Sequence, residues 1–493
     1  MASNTFQELI HSRPLDVHKW SEYKEVNDVV DDIFALLHNL DGNKNKAKKH
    51  LKVLLLDLYV AWFADPELKI AVSRNRNDYK AKSRYNELHI SYLMVDVVDA
   101  LVEHGFLNVT NGFYDQEQGR GYVSRIWPSE PLEHLFKAAR FSPFMIESHS
   151  DRETVILRDD SGKDMEVYED TDEVLHMRRV LKKYNDLLAR THIDLDYLQV
   201  PVLILGNKKR FHRLEINQQS KSVRRVFNKG QFDKGGRFYG GWWQRCPSEL
   251  RPHIVMDGIL TEEVDFSGLH IVLLYARREI NYWEEVGDDP YNIVPPSDWP
   301  EDINLRETLK MLLLTAINAD NEKKAFKAFR RQAEAGSPEK SLNDTMLGKL
   351  LSALRDKHQA IAEDFATGAG IDLMFIDSQI TSLLIEHYTD RGVPILTIHD
   401  SYVVPYGYSD DLALQMQTAC ERITGVRNVS VKHTTISWRE SSMEKEVIDE
   451  LGLDTGWHQG SPSQRHLKEL QLFREFKSKP EREEWVSTWT PIY

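Results

Sequence analysis

Two short β-rich segments, each carrying an aspartate where the strand pattern stops, constrain this chain more than any other feature. The first, Ile259–Ala276 (ILTEEVDFSGLHIVLLYA), runs through β-branched residues to Asp265, turns at Ser267-Gly268 and continues as an apolar, helix-like run, Leu269–Tyr275. The second, Pro394–Pro405 (PILTIHDSYVVP), has two β-rich runs flanking His399-Asp400-Ser401, which puts Asp400 at the tip of a hairpin. Two carboxylates on adjacent strands suit a pair of hard Mg²⁺ ions, which take oxygen ligands. The backbone carbonyl of Phe266, one residue past the first acid, is a candidate further ligand. In a two-metal site one ion activates an attacking hydroxyl and the other stabilises the leaving group. A lone aspartate at a strand end is ordinarily a turn residue; the pairing of two such segments is what points to chemistry.

Charge sharpens the reading. The chain of 493 residues has a net charge of −14, which argues against a protein that coats nucleic acid. It leaves room for a local basic channel, because attraction to phosphate depends on nearby Lys and Arg. Residues 206–251 hold twelve Lys or Arg against three acids, immediately before the first aspartate segment. Within that stretch Gly235–Pro247 (GGRFYGGWWQRCP) sets Arg237 beside Phe238, Tyr239, Trp242 and Trp243. Basic groups interleaved with aromatics suit a surface that tracks a backbone and stacks bases, although one of the two tryptophans is expected in a core. Between the aspartates, Gly287–Tyr291 (GDDPY) precedes Arg306–Asn318 (RETLKMLLLTAIN), where Arg306, Lys310, Leu314 and Asn318 share one helix face. Asp377–Asp390 (DSQITSLLIEHYTD) is a further helix with a polar start.

In this order the segments resemble the superfamily of family-A DNA polymerases and single-subunit phage-type RNA polymerases, over about residues 230–440. DFSGLH and IHDS look like its motifs A and C, GGRFYGG like the Gly-Arg motif before motif A, and RETLKMLLLTAIN like its fingers helix. The resemblance implies an α+β fold: a right-hand palm with an antiparallel sheet, compact helical fingers, a helical thumb, and here a winged-helix-like N-terminal module. It implies a template-directed DNA polymerase that adds dNTPs to a primer 3′-hydroxyl. Asp265 and Asp400 would be catalytic and would hold two Mg²⁺ with Phe266. Arg306, Lys310, His270 and Phe266 would bind the nucleotide. Arg237, Tyr239, Gln244, Gln379 and His399 would contact primer and template, with Ser378 a neighbour of Gln379.

The chain departs from the family pattern in two places. Ser401 follows Asp400 where family-A DNA polymerases usually have Glu, as in the RNA-polymerase branch, and Leu314 and Asn318-Ala319 stand where aromatic and Tyr-Gly residues are usual. His270, five residues past Asp265, occupies the position that faces the sugar of the incoming nucleotide; its bulk favours dNTPs, while a hydrogen bond to a ribose is the other reading. An RNA polymerase or primase on the same fold is therefore the alternative, and a non-catalytic DNA-binding replication initiator or regulator with a degenerate palm is a second. No acidic pattern in residues 1–230 makes a 3′–5′ exonuclease.

The remaining sequence organises around this region. Residues 1–145 are expected as a helical and winged-helix-like domain, 146–229 as a connector and thumb-like region, 230–440 as the core, and 441–493 as a tail. Tyr92–His104 is an amphipathic helix stopped by Gly105, followed by a strand, a loop with Gly119 and Gly121, and the strand Tyr122–Trp127. That outline suits duplex DNA binding, with Arg74, Arg76, Lys80, Lys82, Arg84, Arg120 and Arg125 as phosphate contacts, or equally a packing module. Asn43–Lys49 reads as a polar break, residues 145–172 as a strand pair turning at Ser161-Gly162, and Asp172–Arg190 as a charged helix. Gly452–Ser463 reads as a loop and Gln464–Lys477 as a helix. No apolar run reaches the ~18 residues of a membrane span, no secretory signal is visible, and the two cysteines, Cys246 and Cys420, cannot make a zinc site. The expectation is a cytoplasmic protein of bacterial, phage or plasmid origin with no membrane partner.

Overall fold

The computed structural model describes residues 11–37, 40, 43–116, 119–139, 141–207, 210–334, 336–434 and 462–478. It is a mixed α/β structure with two hydrophobic cores. The first core is built from residues 26–146 and takes in Phe473 and Phe476; the second runs from Val155 to Val429.

In the first unit, β1 (Ser12–Pro14), α1 (Lys24–Leu36), α2 (Lys44–Ala64), β2 (Lys69–Val72), α3 (Leu93–Glu103), β3 (Leu107–Thr110), the hairpin β4 (Phe113–Asp115) and β5 (Arg120–Tyr122), β6 (Ser124–Pro128) and α4 (Glu130–Ala138) follow in order. The strands form a sheet in the order β1-β2-β6-β3, in which only β1–β2 is parallel. The run expected as a polar break instead opens α2. The Asn43 side chain accepts a hydrogen bond from Lys46 N, satisfying a first-turn amide that would otherwise lack a partner. The greasy residues beyond it are buried on almost every side, so α2 is the centre of this core.

The second unit continues with β7 (Val155–Leu157), α5 (Asp172–Ala189), β8 (Ile193–Leu195), β9 (Val202–Asn207), β10 (Arg210–Glu215), β11 (Arg224–Asn228), β12 (Gln231–Tyr239), β13 (Ile254–Met256), β14 (Ile259–Phe266), α6 (Leu269–Ala276), α7 (Leu305–Asn318), α8 (Glu322–Gln332), α9 (Asp344–Lys357), α10 (Gly370–Asp390), β15 (Leu396–Ile398), β16 (Ser401–Pro405), α11 (Ser409–Thr424), β17 (Val431–Thr434) and α12 (Gln464–Lys477). Its main sheet is antiparallel throughout, in the order β8-β13-β14-β16-β15, with β17 also on β14. A second sheet, β12-β11-β7, lies beside α10.

Of the expected strand pair at 145–172 only one antiparallel bridge forms, Arg158 with Asp164 across the turn at Ser161-Gly162, with the Met165 amide donating to the Leu157 carbonyl at 2.8 Å. Val155–Leu157 is fully buried and pairs in parallel with Arg225–Phe227 of β11, whereas Val167, among acids, is 85% exposed and belongs to no strand. The apolar run found its partner in β11, and the acidic run contributes only Met165 and Tyr168 to the core, through side-chain packing and not as a strand. α5 buries Val174, Met177, Leu181, Tyr184 and Leu188, and the Tyr184 hydroxyl donates to the Ile395 carbonyl at 2.6 Å. α10 starts seven residues before Asp377, so that aspartate is mid-helix and not at a polar start. The last helix has the expected bounds; of the loop Gly452–Ser463, residues 452–461 lie outside the described residues. α12 joins the two units, with Phe473 and Phe476 in the first core and Arg465 and His466 on buried Asp194 of β8. No helix among the described residues is long and apolar enough to cross a membrane.

Candidate active site

β14 carries Asp265 to the middle of the main sheet because its inward residues, Val264 and Phe266, are fully apolar while Glu263 and Asp265 share the other face at the strand period of two. Gly268 then takes a left-handed φ of 66°, which an L side chain adopts only with strain, and the chain turns directly into α6. β15 and β16 close through the two residues His399-Asp400, with Ile398 opposite Ser401. His399 has φ 58°, the positive value that the first residue of such a tight hairpin requires.

The register decides the rest. Thr261 to Asp265 of β14 pair with Pro405 to Ser401 of β16, so Asp265 lies opposite Ser401 and next to Asp400. The Phe266 amide donates to the Asp400 carbonyl at 3.2 Å. The two aspartates predicted from separate segments are thus brought together. On the other edge of β14, Asp265 lies opposite Lys432 of β17. Burial, then Asp400 and Glu263, push the Asp265 carboxyl up to about 7, against the pull of Lys310 and Arg251. A cavity of about 1290 Å³ opens here. The sheet lines it with Glu263, Asp265, Asp400 and Lys432, α6 with His270, α7 with Arg306 and Lys310, and α8 with Lys324, Lys327 and Arg331.

The other predicted residues divide. Phe266, His270, Arg237 and His399 line this cavity. Arg237 is held from beneath: its Nε donates to Asp377 Oδ2 at 2.6 Å, and its Nη2 lies 3.4 Å from His270 Nε2. Burial opposes the Arg237 charge, but Asp377 and then Asp400 outweigh it, and its pKa is raised. Asp377 is also raised, to about 6, since burial and Asp400 exceed the pull of Arg237. The raised Arg237 favours the charged pair and the raised Asp377 opposes it; the 2.6 Å contact between guanidinium and carboxylate decides for an ion pair. Burial and then Arg237 push His270 down, so it is uncharged at neutral pH.

Arg306 donates to Asp289 Oδ2 at 2.7 Å, and Lys310 is exposed. Tyr239 packs edge-on against His399 with centroids 6.1 Å apart. Gln244 and Gln379 are not among the cavity residues. The Gln244 amide ties a loop to the sheet, donating to Phe238 O and Thr397 O and accepting from Gly240 N. Gln379 lines a separate cavity of about 130 Å³ with Glu173 and Arg225, and its Oε1 accepts from Arg225 at 3.3 Å.

No family model matches the chain, and no curated protein matches it. Among solved structures, the POL domain of Pol1 from M. smegmatis, in complex with DNA primer-template and dNTP, matches with a TM-score of 0.31 and 10% identity. That match covers 88% of this chain and 68% of the other. At that score the likeness does not establish a shared fold.

Several residues of the site had no prominence in the sequence. Glu263 lies two residues before Asp265, so strand alternation alone puts it on the same face; its Oε1 accepts from Arg251 Nη1 at 3.0 Å and from Ser401 Oγ. Asp377 is separated from Arg237 by 140 residues, and no local pattern announces their pairing. Lys324, Lys327 and Arg331 are spaced i, i+3, i+7 on one face of α8, a pattern open to inspection. Much of the basic stretch before β14 is internal. Arg225 is 4% exposed and donates to Gly236 O and Ser378 Oγ, and Lys221, 3% exposed, donates to Thr191 O. In the N-terminal unit Arg74 and Arg76 pair with Asp99 and Asp96 of α3, Arg84 with Asp170, and Arg125 is buried. The face of α3 that carries Asp96 and Asp99 is therefore ion-paired.

Among the described residues no group of three or more His, Cys, Asp or Glu is placed to hold a metal ion. The donor set at Asp265 and Asp400 is two carboxylates, the first of them raised by burial and by the neighbouring acids. That set fits Mg²⁺, which commonly takes one or two carboxylates and completes its shell with water and substrate phosphates.

Proposed function

We propose that this chain is a template-directed DNA polymerase that joins a dNTP to a primer 3′-hydroxyl. In this reading the β14–β16 sheet is the palm, α7–α9 are compact fingers, and α5 serves as a thumb. The observation that carries it is the register that sets Asp265 beside Asp400 on one cavity with the cationic face of α7.

Asp265 and Asp400, with the Phe266 carbonyl, would hold the divalent ions. When bound, two Mg²⁺ supply activation of the attacking hydroxyl and stabilisation of the leaving pyrophosphate. The chain's own groups do the rest. Lys310 offsets charge on the triphosphate, and fixed positive groups in a partly enclosed cavity need no reorganisation as charge shifts towards pyrophosphate. Arg237, locked by Asp377, places a fixed positive charge close to Asp400. His270, neutral and braced against Arg237, presents its bulk where a 2′-hydroxyl would sit, which favours dNTPs over rNTPs. The ion-paired face of α3 gives no support to duplex binding by the N-terminal unit.

Primer extension with Mg²⁺ tests this, run with dNTPs and rNTPs separately, with and without template. Extension with dNTPs on a primed template is expected, and Asp400→Ala should lower it by at least about 10³-fold with primer-template affinity unchanged. Incorporation retained by Asp400→Ala would remove the assignment; rNTP incorporation on unprimed template would make the protein a primase.

A further inference from the structure

α8 was not part of the nucleotide site read from the sequence, yet it lines the same cavity. Its inward face is Ala325, Phe326 and Phe329, all buried. Lys324, Lys327 and Arg331 lie on the face that meets the cavity. α7 ends at Asn318 and α8 begins at Glu322, so three residues connect them, and a link that short joins neighbouring helices antiparallel. Lys310 stands eight residues before the end of α7 and Arg331 nine after the start of α8. At 1.5 Å per residue both are about 12–14 Å from the turn, so the hairpin sets them at one level.

The charges around the cavity then sort themselves. Arg306 is held by Asp289, Lys324 by Asp320, Arg251 by Glu263 and Arg237 by Asp377. No ion pair or side-chain hydrogen bond joins Lys310, Lys327 or Arg331, or Lys432 on the sheet side of the cavity, to any described residue. Three cations on one wall, Lys310, Lys327 and Arg331, none of them in an ion pair with a described residue, call for an anion with several charges close together. Lys310 also acts on Asp265, so the group is continuous with the carboxylates.

We propose that Lys327 and Arg331 of α8, with Lys310 of α7, hold the polyphosphate of the incoming nucleoside triphosphate, in the place a fingers-helix arginine would otherwise take. This rests on the polymerase reading and names which cations serve it. Arg331 supplies the guanidinium beside Lys310, while Arg306 stays on Asp289.

Lys327 and Arg331 are exposed, so Lys327→Gln/Arg331→Gln folds normally, and exposed Lys323→Gln, outside the cavity, is the control. Two measurements are made: binding of inorganic tripolyphosphate by calorimetry without divalent metal, and primer extension with titrated dNTP. The double variant should weaken tripolyphosphate binding at least tenfold and raise the KM for dNTP similarly, with primer-template affinity and its salt dependence as in wild type. Lys323→Gln should change neither. Unchanged dNTP KM with weakened, less salt-dependent primer-template binding would assign these cations to phosphodiester backbone and overturn the proposal. Failure of wild type to bind tripolyphosphate, or equal binding by the double variant, would overturn it as well. Absence of extension by wild type sinks the polymerase reading alone; tripolyphosphate binding lost in the double variant would still uphold the polyphosphate site.

Discussion

Replacing Arg237 by methionine tests the electrostatic foundation of the site. The methionine keeps most of the stem and removes the guanidinium. Asp377 is 1% exposed, its Oδ2 accepts from Arg237 Nε at 2.6 Å, and its Oδ1 has no hydrogen-bond partner among the described residues. The charge of Asp400 is close enough to push Asp377 up further. Without Arg237 the carboxyl is buried, unpaired and near a like charge, and leaving one partner of such a pair costs about 3–5 kcal/mol. Asp377→Asn removes the charge and should cost less. In Arg237→Met/Asp377→Asn nothing charged is stranded, so a double-mutant cycle should give a coupling of about 2–3 kcal/mol. Urea unfolding at pH 7.5 reads it, followed by hydrogen exchange of peptides from the second core, because Trp20 and Trp62 of the first core contribute to any tryptophan signal. A single unfolding free energy is not defined for a chain with two cores, so each variant is compared within that one transition. The Arg237→Met penalty should shrink towards pH 5, where Asp377 takes up a proton. A coupling below about 0.5 kcal/mol would show that the pair does not brace the site.

Other consequences follow from burial and steric fit. Burial holds the Lys221 ammonium down from 10.5 to about 7, against Asp257, Glu469 and Glu147 and with Lys477. Between those values the unfolded chain binds a proton that the folded chain releases, so this group makes stability rise with pH, by at most about 1.4 kcal/mol per unit. The stability advantage of Lys221→Met over wild type, followed by urea midpoints from pH 7 to 10, should therefore narrow as pH rises; a constant difference would refute the shift. At Gly241 an added Cβ would lie 2.2 Å from Trp243 Cζ2, and Trp243 is fully buried with its indole N–H on Thr397 O at 3.2 Å. Gly241→Ala should lose about 1–3 kcal/mol and unfold at a lower temperature with altered tryptophan fluorescence; an unchanged midpoint would mean the indole has room to move.

Local sequence set the elements of the site. Alternation of β-branched and polar residues makes β14, Ser267-Gly268 permits the turn into α6, Asn304 caps α7 by accepting from Glu307 N, and two-residue spacing makes the β15–β16 hairpin. Each depends on neighbours a few residues away, which is why the helix with Arg306 and Lys310 and the hairpin tip with Asp400 were legible. The meeting of Asp265 with Asp400 spans 135 residues, and only the β14–β16 register brings it about. Tertiary packing alone decided which cations are internal: Arg225, Lys221 and Arg237 look in sequence like any basic run, and their burial depends on α10 and, for Lys221, on the backbone at Ala189 and Thr191 where α5 ends. The same holds for α8, whose basic face is ordinary until the short connection from α7 turns it onto the carboxylates' cavity. Backbone conformation follows from short-range sterics, whereas the electrostatic role of a side chain depends on what distant segments place around it.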